Sequence, residues 1–240
     1  MLWVYLFRMG NIVIIGASSG IGRALAEQQI QIENQVYGSY NKNEGGSLKG
    51  LSGNTKLDVL EEKLDLGFVP EVVDGLVYCP GSVILKPFAR IKPTDFVADY
   101  QLQVIGAVKI IQELLPNLKK SSNPSIVLFS TIAVQSGFNF HSLVASSKGA
   151  IEGLTKALAA EFAPKIRVNC IAPSITDTPL AAALLNTEEK KEINAQRHPL
   201  KKIGTPDDVA SLATFLLSQN TNWITGQILH VDGGMSTLKV

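Results

Sequence analysis

Gly16-Ala17-Ser18-Ser19-Gly20-Ile21-Gly22 lies between a strand-like run, residues 11–15, and a helical pattern over residues 20–32, and its reading decides the fold. Glycine at its first, fifth and seventh positions removes Cβ atoms where the chain must turn sharply and let another group approach the backbone. A helix opening at Gly20 leaves its first N–H groups without intrahelical partners, aimed at whatever rests against the turn. Strand, glycine turn and helix in that order predict a pyrophosphate seat formed by Gly16, Ser18, Ser19, Gly20, Ile21 and Gly22. The glycine pattern alone is a weak signal; its place between strand and helix gives it weight.

The same alternation continues along the chain. Apolar, strand-like runs occupy residues 11–15, 35–40, 55–58, 75–78, 125–130, 167–171 and 227–231. Helical patterns occupy residues 20–32, 93–118, 142–163, 188–196 and 206–217. Continuous apolar strands separated by helices predict an α/β fold, a doubly wound, seven-stranded parallel β-sheet with helices on both faces. Thr205-Pro206-Asp207-Asp208 supplies a capping hydroxyl, a proline at the first helical position and two carboxylates at the positive end of the helix dipole. Thr94 to Phe96 after Pro93 likewise opens a helix. The stretch 58–74 is short for a crossover, so its helix, near 61–66, is expected to be stubby or absent.

With 240 residues and no linker, repeat or low-complexity tract, the chain reads as a single domain over 11–240, preceded by an N-terminal extension, 1–10. Its 45% hydrophobic content excludes disorder. Charged residues at 18% and a net charge of +1 provide no field for nucleic acid or a membrane surface. Lys119-Lys120, Lys190-Lys191 and Lys201-Lys202 read as solvated helix ends and loops. Cys79 and Cys170 are too few for a disulfide framework and lack metal-ligand spacing; their apolar runs suggest buried thiols in a reducing cytosol. The apolar segment before Met9 is too short to span a bilayer and lacks the parts of an export signal, so a cytoplasmic location is expected.

From the glycine turn onward the chain resembles the short-chain dehydrogenase/reductase family, one-domain nicotinamide-binding enzymes with a Rossmann fold. Asp74-Gly75-Leu76-Val77-Tyr78-Cys79-Pro80-Gly81 is similar to the family's Asp-x-Leu-Val-Asn-Asn-Ala-Gly strand end, although only Gly81 survives of its last four residues. Arg167 through Pro179 closely resembles the segment that holds the nicotinamide. The resemblance implies cofactor contacts for Pro173, Ile175 and Thr178, with Ser174 in place of the usual glycine. Gly204-Thr205-Pro206-Asp207-Asp208-Val209-Ala210 and Val231-Asp232-Gly233-Gly234 are further signatures. Asp58-Val59 resembles the pair whose carboxylate accepts from the adenine amino group. After the second strand, Gly38-Ser39-Tyr40-Asn41-Lys42 offers no acid until Glu44, which favours NADP(H) over NAD(H) through Ser39, Asn41 and Lys42.

The resemblance breaks at the reaction site. The family uses a tyrosine acid/base, a lysine that lowers the tyrosine pKa and holds the nicotinamide ribose, a serine beside the reacting oxygen and an asparagine that holds a relay water. Lys148 fits the lysine, Thr131 the serine and Gln103 the asparagine. The tyrosine position, four residues before Lys148, carries Val144, which neither gives nor accepts a proton. His141 lies three residues before Val144 and seven before Lys148, on one helix face, and is the candidate replacement. The enoyl-acyl-carrier-protein reductases of the superfamily place their tyrosine at that seven-residue offset. A surface or interface position for His141 is the competing reading; His198 in the lid and His230 in the last strand carry less.

Two functions follow. The first, and favoured, is an NAD(P)(H)-dependent oxidoreductase acting on a carbonyl, an alcohol or an activated alkene, in which His141 or a Lys148-linked water supplies the proton. The second is a dinucleotide-binding regulator or scaffold without dehydrogenase activity, which intact cofactor segments beside a lost acid would also produce. Residues 180–202 should form a lid over an apolar pocket that includes Phe138, Phe140 and Val144. Apolar residues on more than one face of the two long helices, Val104, Val108 and Ile111 with Ala150, Leu154 and Ala157 among them, suggest a homodimer or homotetramer. No metal is expected.

Overall fold

The computed structural model describes residues 9–42 and 48–239. The expected extension therefore lies outside the described residues but for Met9 and Gly10, as does Glu44. Strands β1 (Asn11–Ile15), β2 (Gln35–Tyr40), β3 (Gly53–Lys56), β4 (Gly75–Tyr78), β5 (Ser125–Phe129), β6 (Arg167–Pro173) and β7 (Ile228–Val231) form one parallel sheet in the order β3-β2-β1-β4-β5-β6-β7. Within β1, Ile12 and Ile14 point to one face and Val13 and Ile15 to the other, the period of two that lets a central strand bury both sides. On the first face pack α1 (Gly20–Gln31) and α7 (Pro206–Leu217), through Leu25, Val209, Ala213 and Leu216. On the second pack α3 (Gly106–Lys120) and α5 (Ser142–Phe162), through Ile110, Leu114, Leu118 and Ile151.

The chain leaves β1 toward β2 and β3 and then returns to β4 on the other side. Crossovers that diverge in this way open a crevice beyond the carboxyl ends of β1 and β4, where ligands of doubly wound sheets bind. The glycine turn closes one end of that crevice.

Several boundaries differ from the sequence reading, each with a local cause. β3 covers Gly53–Lys56 rather than 55–58, because Gly53 pairs with Tyr37 and packs closely on its ring. β5 stops at Phe129, whose carbonyl accepts from Lys148 Nζ at 2.9 Å. β6 runs on to Pro173 because β7, which begins at Ile228, pairs with it as far as Val231. Residues 58–74 contain no helix, as the crossover length suggested.

The continuous helix expected over 93–118 is instead α2 (Pro93–Tyr100), a single π-helical turn (Gln101–Ile105) and α3. The Tyr78 hydroxyl on β4 donates to Leu102 O at 2.6 Å, and the Gly106 N–H bonds to Gln101 O instead. Gly106 tolerates this only without a side chain, since a Cβ would lie 2.2 Å from Tyr78 Oη. The short α4 (Ala133–Ser136) was not anticipated. In the lid region a 3-10 helix (Pro179–Leu184) precedes α6 (Glu188–Gln196). The Thr205 cap has the expected form: Thr205 Oγ1 accepts from Asp208 N at 3.2 Å and Asp208 Oδ2 from Thr205 N at 2.8 Å.

Candidate active site

The glycine turn has the backbone its residues allow. Gly16 and Gly20 have φ of +85° and +53°, where side chains are strained. A Cβ on Gly22 would meet Gly16 O at 2.2 Å. The turn is pinned to β2, with Gly16 N donating to Ser39 Oγ at 3.2 Å and Ala17 N to Ser39 O at 2.8 Å. Ser19 caps α1 with no side-chain hydrogen bond and no acid stands in the first turn. The leading N–H groups of α1 are thus presented to the crevice, the arrangement that receives an anion.

A cavity of about 940 Å³ runs from this turn across the carboxyl ends of the sheet to the lid. It is lined by Gly16, Ser18, Ser19, Gly20, Ile21, Gly22, Ser39, Asn41, Lys42, Asp58, Val59, Gly81, Gln103, Thr131, His141, Lys148, Pro173, Ile175 and Thr178, and by Phe138; Phe140, expected in the pocket, is not part of the wall and is exposed, on backbone with φ +69°. Val144 lines it too. Ser39 is buried with its hydroxyl engaged by the turn, whereas Asn41 and Lys42 are exposed at the rim. The replaced residues after β4 keep its geometry: Cys79 N still donates to Ile15 O at 3.0 Å, and Pro80 packs against Gly16.

Lys148 is the half-buried cation of the site. Desolvation lowers its pKa from 10.5 to about 8, against the opposing charge of Asp99. Burial pushes both thiols up to about 12, so neither is a thiolate near neutrality. Cys79, expected to be buried, lies one residue past β4 and is only partly so. Thr131 Oγ1 accepts from Ala133 N at 3.3 Å. His141 caps α5, with its ring centroid 5.5 Å from that of Phe138. Its Nδ1 lies 2.8 Å from Asn139 O; a carbonyl only accepts, so Nδ1 carries the proton and Nε2 remains for other partners.

Gln103 sits in the π turn, fully buried. Its Nε2 donates to Asp99 Oδ2 at 2.8 Å, while Oε1 has no partner. Sequence reasoning missed Asp99, although its i,i+4 spacing from Gln103 was a usable signal. It also missed the role of His198, which is buried and bridges Asn194 O at 2.7 Å and Ser174 Oγ at 2.8 Å, tying the lid to the segment after β6. His230 is exposed and contacts Ser236 Oγ. Among the described residues no cluster could hold a metal ion and no helix is long and apolar enough to cross a membrane.

Comparison with known proteins matches this architecture. The profile of the enoyl-(acyl carrier protein) reductase family covers residues 16–236. The 3-oxoacyl acyl-carrier-protein reductase FabG of Thermotoga maritima is 31% identical, over 93% of this chain and 96% of its own. A tropinone reductase homologue of Arabidopsis thaliana is 30% identical over 93% and 91%. Among solved structures, Thermoplasma acidophilum aldohexose dehydrogenase superposes with a TM-score of 0.88 at 28% identity, covering 97% of this chain and 96% of that one. ElxO with NADP bound gives 0.85 at 28%, covering 96% and 100%. The chain belongs to the short-chain dehydrogenase/reductase family. Its activity is that of an NAD(P)-dependent oxidoreductase acting on a small molecule.

Proposed function

We propose that this chain uses NADPH to reduce a carbonyl or activated-alkene substrate. The observation that carries the proposal is a half-buried lysine, Lys148, in the same cavity as a glycine turn whose leading helix amides have no side-chain cap. The turn residues would hold the pyrophosphate and Lys148 the nicotinamide ribose. Pro173, Ile175 and Thr178 would position the nicotinamide, and Asp58, Val59 and Gly81 would border the adenosine. Asn41 and Lys42, exposed at the rim, suit a 2′-phosphate better than Ser39, whose hydroxyl is committed to Gly16. The bound cofactor supplies hydride.

The chain's own task is orientation and protonation. Thr131 would donate to the substrate oxygen, and the lid over 180–202 would exclude water. With Val144 at the usual acid position, the proton comes from His141 or from a water held by Lys148. His141 requires its imidazolium form for this, since its Nδ1 proton is occupied by Asn139 O. Reduction of an activated alkene needs less help from an acid than reduction of a ketone, which suits such a site. The relatives named for 3-oxoacyl and tropinone reductases support a carbonyl or acyl substrate. Val97 and Tyr100, exposed on α2, support a homodimer or homotetramer, and the free thiols a cytoplasmic setting.

The test is a fluorescence titration with NADPH and NADH, followed by a carbonyl and enoyl substrate screen of wild type, His141→Ala and Val144→Tyr. Binding with turnover is expected. Nucleotide binding without turnover of any substrate would favour a regulator or scaffold instead. Turnover untouched by His141→Ala would assign the proton to the Lys148 side.

A further inference from the structure

Two buried carboxylates lie around Lys148, Asp99 on α2 and Glu152 one turn along α5, the latter bound by Ser130 and Gln135; the thiols Cys79 and Cys170 face the lysine as well. Asp99 on α2 takes the Ser82 hydroxyl on Oδ1, and on Oδ2 both Ser147 Oγ at 2.6 Å and Gln103 Nε2 at 2.8 Å. It thereby joins the loop after β4, the π turn and the residue preceding Lys148. A buried aspartate at a helix position that could hold an apolar side chain is costly to keep unless it does something.

A carboxamide has a donor end and an acceptor end, and an ionised carboxylate only accepts. Asp99 therefore selects one orientation of Gln103: nitrogen toward itself, oxygen away. That oxygen is buried without a partner, and it borders the space over Gly81. A Cβ placed on Gly81 would lie 3.4 Å from Gln103 Oε1 and 3.7 Å from Lys148 Nζ. The unsatisfied acceptor and the half-buried ammonium thus lie on either side of one point. Gly81, Gln103 and Lys148 all line the cavity, and a water between them would donate to Gln103 Oε1 and accept from Lys148 Nζ.

We propose that Asp99 is a positioning residue of this active site, which holds the Gln103 oxygen toward Lys148 and so stabilises the lysine's charged form through one water over Gly81. This rests on the placing of Lys148 in the active site proposed above. Asp99 touches no reacting atom; besides the direct pull of its charge on Lys148 it acts through Gln103, and a double-mutant cycle isolates that second route. The arrangement also explains why a glutamine serves here: the extra methylene carries the amide from the π turn to the gap while its nitrogen still meets Asp99.

The experiment is a double-mutant cycle on nucleotide-free protein, with Asp99→Asn, Gln103→Met and the pair. The readout is the Lys148 titration followed by NMR on labelled lysine, assigned with Lys148→Arg. With Asp99 present, Gln103→Met should lower the midpoint by about one pH unit. In the Asp99→Asn background, where the amide can turn over, it should lower the midpoint by much less. Equal effects in both backgrounds, or none in either, would overturn the proposal. If Gln103→Met does not fold, Gly81→Ala asks the same question: its methyl fits at ordinary contact distance and excludes the water. A lowered midpoint supports the seat, and an unchanged one refutes it. NADPH titration of wild type decides the cofactor reading separately, because the cycle requires no nucleotide.

Discussion

Lys148 should make the empty protein less stable, and replacing it should show by how much. Its pKa falls from 10.5 to about 8 on folding. Below pH 8 both states are protonated and the folded state carries the full cost of a desolvated charge. Between 8 and 10.5 the unfolded state binds more protons than the folded one, so stability rises with pH across that window. At about 1.4 kcal/mol per pH unit the cost is about 3 kcal/mol. Lys148→Met removes it, but leaves Phe129 O without the donor it has at 2.9 Å, a loss of about 1 kcal/mol. The variant should then be more stable than wild type by about 2 kcal/mol at pH 7, or about 4–8 °C in Tm for a chain of this size. That advantage should vanish near pH 9.5 and become a deficit of about 1 kcal/mol by about pH 10.5. Urea unfolding of both proteins at several pH values measures it, and taking the difference cancels every other titrating group. A variant less stable at pH 7, or a difference flat with pH, would refute the argument that Lys148 is held charged at a desolvated position.

Other expectations concern the cofactor and the proton. Gly22→Ala places a methyl against a backbone oxygen that cannot move without undoing the turn; NADPH affinity should fall by a hundredfold or more, about 3 kcal/mol, by fluorescence titration. Lys42→Glu should reverse the coenzyme preference by about tenfold, seen as a changed ratio of NADPH to NADH dissociation constants. His141→Ala should reduce turnover by about a hundredfold with nucleotide affinity unchanged, as steady-state kinetics with saturating coenzyme would show. Ser174→Gly, which removes one anchor of His198, should loosen the lid and raise KM more than it alters kcat.

The sheet was legible because its strands bury both faces: Ile12, Val13, Ile14 and Ile15 form an apolar run that no solvent-facing strand would carry. The glycine turn was legible because each glycine answers a steric demand that can be stated locally. What escaped depends on partners far along the chain. Nothing near residue 102 announces a π turn; its cause is Tyr78, 24 residues earlier. The start of β3 is set by the fit of Gly53 on Tyr37, which polar residues 53–56 do not advertise. Asp99 was missed because only the approach of α5 and the loop at Ser82 encloses it. The catalytic segment could be aligned from Lys148, but the lack of a proton-carrying group at Val144 says nothing of what takes its place.

A single phenol sets the phase of the longest helical stretch in this chain. By occupying Leu102 O, Tyr78 adds a residue to one turn, and everything on α2 is thereby rotated by about 100° relative to α3. Without that offset, the stripe that buries Ile110 and Leu114 could not coexist with a side of α2 that holds Asp99 against Ser147. Tyr78→Phe would allow the ladder to rewind, forcing the segment to choose between packing its interior and keeping that acid enclosed.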